Sequence, residues 1–306
     1  MKKNLLIIFI LNSILFANQA IKPLPTEITY NKEKAKLGKK LFFDTMLSRD
    51  YSVACISCHN VYNGGADPRK VSIGYAGKKG NIQSPTVLNA VYNFRQFWNG
   101  RAKNLKEQAA GPLNNPVEHN MTPKLIEHRL KKDETYSKEF KKIYKNGVSY
   151  DNVLDAIVEF EKALVTPNAK FDRYLRGEVE LSKDELNGYN KFKQYGCISC
   201  HNGKNIGGNS FSQIGTFIPY KNERSYPDRY EITKKPYDRN VFKTPTLRNI
   251  ELTAPYFHDG SKKTLYNAIK AMAYYNLGIE MPKKDIKAIE IFLKTLTGEL
   301  PKVLDE

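Results

Sequence analysis

The hexapeptide "CISCHN" occurs twice in this chain, at Cys55–Asn60 and at Cys197–Asn202, and the two copies are identical. In each copy two cysteines separated by two residues are followed at once by a histidine. This C-x-x-C-H pattern attaches c-type haem, because the thiols form thioether bonds to the vinyl groups and the histidine then binds the iron from one face. The sequence therefore predicts two covalently bound haems. The predicted haem-binding residues are Cys55, Cys58, His59, Cys197, Cys200 and His201.

Zinc binding and disulfide formation are weaker interpretations of the same motif. The two motifs lie 142 positions apart, unlike the short spacing of compact zinc modules. All four cysteines of the chain lie inside the motifs, and a disulfide gives the adjacent histidines no purpose. Haem attachment is therefore preferred.

A second repeat extends the duplication beyond the hexapeptide. "SPTVLNAVYNFRQFWNGRAKNL" (Ser84–Leu105) aligns without gaps on "TPTLRNIELTAPYFHDGSKKTL" (Thr244–Leu265), with seven identities at a constant offset of 160. Chance does not hold one register over so many matches. We infer two homologous domains, an N-terminal haem domain at 21–166 and a C-terminal haem domain at 167–306.

Helical signals dominate the chain. Ser182 and Glu185 form a capping box ahead of an apolar pattern at helical spacing, Asp151 can cap a second helix, and Pro123 suits the first position of a third. Apolar residues at helical spacing over 286–296 indicate a C-terminal helix. No long alternating stretch indicates a sheet, so the predicted class is all-α with little or no sheet.

Two long segments rich in Gly, Asn and Pro, 60–84 and 202–240, carry no strong helical signal. Ordered loops of this length are usually functional. A macrocycle would supply the core around which such loops fold, so the expected architecture is two cytochrome c-like domains that each enclose one haem.

The first 20 residues have the pattern of a secretory signal peptide. Two lysines precede the apolar stretch 5–16, and small residues follow, with Ala17 or Ala20 as the cleavage point. The stretch is too short for a comfortable membrane span, and no later stretch is long and apolar enough for one. The sequence therefore predicts export to the periplasm, with no membrane span in the mature protein.

The chain has a formal net charge of +17. Its lysines are scattered rather than clustered, which is typical of a solvated surface. An exported protein meets little nucleic acid, so nucleic-acid binding is not expected. Docking toward an acidic protein partner stays open.

At this point the chain resembles the bacterial di-haem cytochrome c peroxidases over nearly its whole mature length. The resemblance implies reduction of H2O2 to water with electrons from a small soluble cytochrome c or similar donor, and it favours a homodimer. It is carried by "LGKKLFFD" (Leu37–Asp44), both copies of "CISCHN", the segment Ser84–Asn120, "TPTLRNIELTAPYFHDGS" (Thr244–Ser261) and "MAYYNLG" (Met272–Gly278).

The resemblance also implies a role for particular positions. It makes the His59 haem the peroxidatic one and the His201 haem the electron-transfer one, with Met272 as the second ligand of the latter iron. It places Trp98 between the haems, and Glu118 and Gln108 in the catalytic pocket. It implies a calcium ion between the domains, with Gln83, Thr253 and Pro255 as ligands, although Gln83 stands where the family has Asn.

Elementary chemistry agrees with these roles. Glu118 can take a proton from one oxygen of H2O2 and return it to the leaving oxygen, so that water leaves instead of hydroxide. Gln108 can orient the peroxide through hydrogen bonds, and the flat ring of Trp98 suits electronic coupling. Of the remaining histidines, His258 aligns with Trp98 in the repeat and is expected near the haem interface, whereas His119 and His128 are expected on the surface.

One position departs from the family pattern. Many members carry a His in the loop after the first motif that binds the peroxidatic iron at rest, whereas this chain has "SIGYAG" with Tyr75 there. A phenol ionises only near pH 10, so we expect a peroxidatic haem that is open or weakly ligated at rest. Ligation by the Tyr75 phenolate stays the alternative, because iron can lower that pKa.

Two other function classes were compared with the peroxidase. A protein-modifying di-haem oxidase carries Tyr as the second ligand of its C-terminal haem, whereas Met272 stands there in this chain. A non-catalytic electron carrier needs no acid/base pocket, so Glu118 and Gln108 argue against it.

Overall fold

A computed structural model of the chain describes residues 20–222 and 225–306. The predicted signal peptide, apart from its last residue, lies outside the described residues. None of the helices in the described part is long and apolar enough to cross a lipid bilayer.

The described residues are mostly helical, as predicted, with ten α-helices and short 3₁₀ turns. The first half contains α1 (Lys32–Phe43), α2 (Leu105–Asn114), α3 (Pro123–Lys132), α4 (Glu134–Ile143) and α5 (Tyr150–Ala163). The second half contains α6 (Lys170–Leu175), α7 (Lys183–Gln194), α8 (Tyr230–Thr233), α9 (Leu265–Leu277) and α10 (Lys283–Lys294). Two of the 3₁₀ turns, Cys55–Ser57 and Cys197–Ser199, are formed by the repeated motifs.

Most of the predicted helix starts are confirmed. Ser182 and Glu185 form the expected capping box at the start of α7, and Pro123 is the first residue of α3. The Asp151 cap is wrong by two residues, because the Ser149 hydroxyl accepts from the Asn152 amide and the helix begins at Tyr150. Asp151 instead occupies the first turn, where a carboxylate still favours the helix dipole.

The long segment 202–240 is less irregular than predicted. It contains the strand β1 (Phe211–Gln213) and the short helix α8, and β1 pairs in antiparallel fashion with β2 (Val241–Lys243). Strands of three residues are too short to show an alternating pattern, so the sequence did not indicate them. The segment 60–84 holds only one 3₁₀ turn, Tyr75–Gly77.

The two halves use the same helix crossing. In the first half α1 packs on α5, and in the second α7 packs on α10. Each contact is centred on a glycine, because a Cβ at Gly38 would collide with the Ala156 carbonyl and a Cβ at Gly188 with the Ala288 carbonyl. Only glycine permits so close an approach of two helix backbones. The duplication seen at the motifs therefore extends to the helix packing.

The second repeat is also matched in backbone conformation. Asn89 and Asn249, equivalent at the offset of 160, both adopt a left-handed conformation. Their side-chain amides both donate to the Thr166 hydroxyl, each at 2.9 Å. Thr166 is buried and stands where the two predicted domains meet, so the repeats are tied together at one hydroxyl.

Both ends of the described chain cross between the halves. Ile21 belongs to the apolar core of the second half, and Val303 and Leu304 belong to a core cluster of the first. The domain boundary between residues 166 and 167 stays a prediction. Each predicted domain would have one end of the chain packed in the core of the other domain.

A buried ion pair joins Asp172, near the beginning of the second half, to Arg248 in the Thr244–Leu265 repeat. The Arg248 guanidinium donates to both carboxylate oxygens of Asp172, at 2.8 and 2.9 Å. The side chains are 1% and 0% exposed. We expect Asp172→Asn to lower the free energy of unfolding by about 3–5 kcal/mol, because it leaves an uncompensated buried charge.

Denaturant unfolding of the cofactor-loaded protein measures this effect. Glu134→Gln is the matched control, because the Lys138–Glu134 pair is 79% and 87% exposed and such pairs contribute roughly 0–1 kcal/mol. Equal unfolding midpoints for the two variants would contradict the assignment.

Candidate cofactor and active site

Both motifs open into one continuous cavity of about 780 Å³. This volume lies within the range of small-molecule and cofactor sites. Its lining combines the cysteines and histidines of both motifs with residues of the Ser84–Leu105 and Thr244–Leu265 repeats. The cavity is therefore built by the duplicated parts of the chain, as expected of a shared cofactor chamber.

The first motif forms a compact turn that presents His59 to the cavity. The His59 amide donates to the Cys55 carbonyl at 3.0 Å, and Nδ1 of the ring lies 3.1 Å from the Gly65 carbonyl. Burial lowers the pKa of His59, so the ring is neutral near neutrality. A neutral imidazole whose Nδ1 donates to a carbonyl leaves Nε2 as the free ligand atom.

The second motif repeats this arrangement. The His201 amide donates to the Cys197 carbonyl at 3.0 Å, and burial lowers the pKa of His201 to about 4. The ring is thus neutral as well. Its Nδ1 is buried and makes no hydrogen bond of good geometry within the described residues.

The cavity fits the predicted haems. All four motif cysteines are free thiols within reach of the cavity, and both motif histidines line it as neutral imidazoles, the form that binds iron. Arg101 and Lys243 also line the cavity, and burial lowers the pKa of Lys243 to about 8. Cationic side chains on the cavity wall can form charge-assisted hydrogen bonds with the carboxylates of a haem.

Glu118 lies in the wall of this cavity, close to the first motif. The Asn115 side-chain amide donates to its Oε1 at 2.6 Å. Burial raises the pKa of Glu118, while the Asn115 hydrogen bond and the Arg101 charge oppose that shift. Gln108, on α2, lines the same cavity. Both residues predicted for the catalytic pocket therefore line this cavity.

Arg101 is a site residue that sequence reasoning missed. It lines the cavity, and its guanidinium stacks 3.4 Å from the centre of the Phe97 ring. In the repeat, Arg101 of Ser84–Leu105 aligns with Ser261. A positive charge present in only one copy was therefore the sequence signal that could have identified it.

Trp98 contacts residues of both halves. Its indole Nε1 donates to the Gln83 carbonyl at 2.8 Å, while its own carbonyl accepts from the Lys243 amide at 2.7 Å. Its ring meets Phe242 and His258 edge to face, with ring centres 6.3 and 6.2 Å apart. The indole is thus held by a first-half carbonyl and by second-half rings, and the Trp98 main chain is bonded to the second half.

Met272 projects from α9 and lines the cavity. It packs against an apolar cluster that also contacts Trp98. The same cavity is lined by His201, so ligation of the second iron by Met272 stays a prediction.

Tyr75 is not among the residues that line the cavity. Its backbone amide donates to the Glu118 carbonyl at 2.7 Å, but its ring lies under the Lys78 ammonium, 5.2 Å from the ring centre. The loop therefore passes Glu118 without directing the phenol at the cavity.

The expected surface position of His119 is wrong. His119 is buried and lines the cavity, and its Nδ1 lies 3.0 Å from the Leu47 carbonyl. The preceding Glu118 enters the cavity, and a tight turn brings the next residue in with it. His128 is exposed on α3, as expected. His258 is buried near Trp98, with Nε2 2.8 Å from the Asn222 side-chain oxygen.

The predicted calcium ligands Gln83, Thr253 and Pro255 all line the cavity. The Gln83 carbonyl already accepts from Trp98, and its side-chain amide donates to the Asp67 carbonyl at 3.4 Å. No cluster of three or more His, Cys, Asp and Glu suited to a metal ion occurs within 20–222 and 225–306. Any calcium here would depend on carbonyl oxygens.

Comparison with known proteins adds an independent finding. Residues 32–180 match the family model described as di-haem cytochrome c peroxidase. The chain is 46% identical to the cytochrome c551 peroxidase of Nitrosomonas europaea, over 94% of this chain and 87% of that protein. It is 40% identical to the cytochrome c551 peroxidase of Pseudomonas aeruginosa, again over 94% and 87%.

A solved structure supports the architecture. The crystal structure of a MauG-like protein associated with microbial copper homeostasis matches with a TM-score of 0.79 and 26% identity, over 91% of this chain and 93% of that one. The likeness extends over both halves, so the described helices and loops have a counterpart of known fold.

Proposed function

This chain belongs to the di-haem cytochrome c peroxidase family, and on that premise we propose that it reduces H2O2 to water with electrons from a small c-type cytochrome. The observation that carries the proposal is the presence of Glu118, a half-buried carboxyl with a raised pKa, in the same cavity as His59. A carrier that only passes electrons has no use for an acid/base group in its cofactor cavity.

The residues at and near the first motif have two roles, haem binding and proton transfer. Cys55, Cys58 and His59 would hold the haem, which when bound supplies the redox chemistry that cleaves the O–O bond. Ionised Glu118 accepts a proton from the inner oxygen of H2O2 and donates it to the outer oxygen, so that water leaves.

Neighbouring side chains prepare Glu118 for this role. Asn115 fixes Oε1 at 2.6 Å, which orients the carboxyl. Burial raises the pKa of Glu118, which brings its proton affinity closer to the working pH. The Arg101 charge can stabilise negative charge on the outer oxygen, and the Gln108 amide can orient the peroxide.

The second motif and Trp98 would serve electron entry. His201 and Met272 would bind the iron from opposite faces, and Met raises the potential of a haem. Trp98, fixed from both halves, would couple the two sites. The basic charge of the chain favours an acidic donor protein.

Three further features belong to the proposal. The leader at residues 1–20 supports a periplasmic location, and the family resemblance supports a homodimer. A calcium ion between the halves is supported by the shared position of Gln83, Thr253 and Pro255 on the cavity wall. Removal of calcium by a chelator should then lower peroxidase turnover, with recovery on its return.

Steady-state kinetics tests the proposed function. The loaded protein is mixed with a reduced small cytochrome c and H2O2, and two cytochromes should be oxidised for each peroxide consumed. Cytochrome oxidation without peroxide consumption would favour an electron carrier. Consumption of peroxide only when a protein substrate is modified would favour a protein-modifying oxidase.

The loop around Tyr75 leads to a prediction about the resting enzyme. Because the Tyr75 ring does not line the cavity, the fully oxidised protein should react with H2O2 without prior reduction. Tyr75→His restores an imidazole at the position where many relatives bind the iron. We expect that variant to react only after a reducing equivalent has been added, and stopped-flow absorbance with H2O2 measures this.

Tyr62→His is the control, because Tyr62 is exposed and lies outside the cavity lining. A wild-type protein that ignores H2O2 until it is reduced would overturn this account of the loop.

A further inference from the structure

Glu161 is a second carboxyl that lines the cavity, and the proposed mechanism does not use it. It lies near the end of α5, is 5% exposed and lines the cavity. Its Oε2 is buried and has no hydrogen-bond partner within the described residues. Buried polar atoms are nearly always paired, so this one needs an explanation.

Glu159, two residues earlier on the same helix, shows the ordinary alternative. It is 8% exposed, yet its carboxylate accepts from the Asn31 amide at 2.7 Å and from the Lys162 ammonium at 2.6 Å. It does not line the cavity. One helix thus carries a buried carboxylate that is fully paired and another that faces the cofactor chamber unpaired.

No charged group within residues 20–222 and 225–306 shifts the pKa of Glu161. Burial alone raises its pKa, to about 8, so the side chain is a neutral acid near neutrality. Several charged groups on the elements that pack against α5 have other partners: Lys34 pairs with Asp155, Lys106 with Asp151, Lys39 with the Val303 and Leu304 carbonyls, and Glu127 with Lys131. Others on these elements, Glu33, Lys36, Lys124 and Lys132, are exposed. Tyr92 and Lys302 lie on the two 3₁₀ turns that meet α5, and neither shifts the pKa of Glu161.

The electrostatic effect of Glu161 reaches the first motif. Burial raises the pKa of the Cys55 thiol most, and the Glu161 carboxylate, when it is ionised, raises it further, with a smaller contribution from Glu118. Cys55 has no proton to lose once it is bound through a thioether. The partner left for Glu161 is then the group that Cys55 carries.

We propose that Glu161 couples proton uptake to electron uptake at the first motif. When the group bound there gains one electron from a reductant, the Glu161 carboxylate gains one proton from solvent, and both leave on reoxidation. The assignment rests on the proposed occupancy of the motif by haem, and it makes Glu161 a positioning residue that sets a potential without touching peroxide.

The physical basis is the interaction of two charges in a poorly screened chamber. The oxidised group carries one more positive charge than the reduced group, so it favours the carboxylate, and reduction removes that attraction. Such coupling is reciprocal: the carboxylate that is favoured by oxidation must also favour oxidation. Ionisation of Glu161 therefore lowers the reduction potential.

Redox titration of the loaded protein at a series of pH values tests the proposal. In the wild type, the potential of the haem at the first motif should fall as pH rises across the ionisation of Glu161, by up to about 59 mV per pH unit, the value of one tenfold change for one electron. Glu161→Gln stays neutral, so its potential should lose this slope and exceed the wild-type value at high pH. Glu161→Asp keeps the acid and should retain a slope.

Glu159→Gln is the matched control from the same helix, and its potential should follow the wild type. A slope that persists in Glu161→Gln, or a wild-type potential that does not change with pH, would overturn the proposal. Peroxide turnover measured on the same samples separates this failure from that of the proposed function, because the potential can be measured whether or not H2O2 is reduced. Haem content per chain identifies any variant that is not loaded.

Discussion

Glu118→Gln is expected to lower H2O2 turnover by about 10²–10⁴-fold, the usual contribution of a positioned acid/base group. The variant keeps the shape of the side chain and can still contact Asn115, but it can neither accept nor return a proton. Binding of haem should be unchanged, because Glu118 belongs to neither motif. Steady-state turnover with a reduced cytochrome c measures the loss.

Glu107→Gln is the matched control, since Glu107 precedes Gln108 on α2 but does not line the cavity. Full turnover in Glu118→Gln would remove this residue from the mechanism.

The same carboxyl determines the acid limb of the pH profile. Burial raises the pKa of Glu118, and the ionised form is the one that accepts the first proton. Turnover should therefore fall as pH drops through this raised pKa, beginning at a higher pH than for an ordinary glutamate.

Replacement of Cys55 and Cys58 by alanine is expected to have the second large effect, on haem content and on peroxide turnover. The double variant should retain one covalent haem per chain instead of two, because each motif supplies its own pair of thiols. Peroxide turnover should fall to background, since Glu118 and the first motif share the affected part of the cavity. Intact-mass spectrometry counts the haems, and steady-state kinetics measures the turnover.

The equivalent double replacement of Cys197 and Cys200 is the matched comparison. It should also retain one haem and lose turnover with cytochrome c, but the first site should still change its absorbance when H2O2 is added. If instead the Cys55 and Cys58 variant retains that response and the other loses it, the assignment of the two sites is reversed.

Sequence reasoning predicted the features that follow from local chemistry or from repetition. The two motifs, the capping box of Ser182, the start of α3 at Pro123 and the helical class are all local signals, and the structure confirms the helical elements. The repeat at an offset of 160 predicted equivalence of Asn89 and Asn249. Their common bond to Thr166 was not predictable, because Thr166 lies outside both copies.

The features that were missed depend on long-range packing. His119 was expected on the surface because a lone histidine carries no pattern, yet the turn after Glu118 buries it. Glu161 lies on the helix α5 among apolar residues, and its unpaired position in the chamber became visible only in three dimensions. Arg101 acquired significance only through its nearness to Glu118.

The central claim is that two identical motifs serve different sites, one open to peroxide and one closed by Met272. Electron paramagnetic resonance of the fully oxidised, loaded protein, before and after one equivalent of H2O2, tests it most directly. The account predicts one high-spin and one low-spin ferric haem, with the high-spin signal lost on addition of peroxide. Two low-spin haems whose signals do not change with peroxide would contradict it.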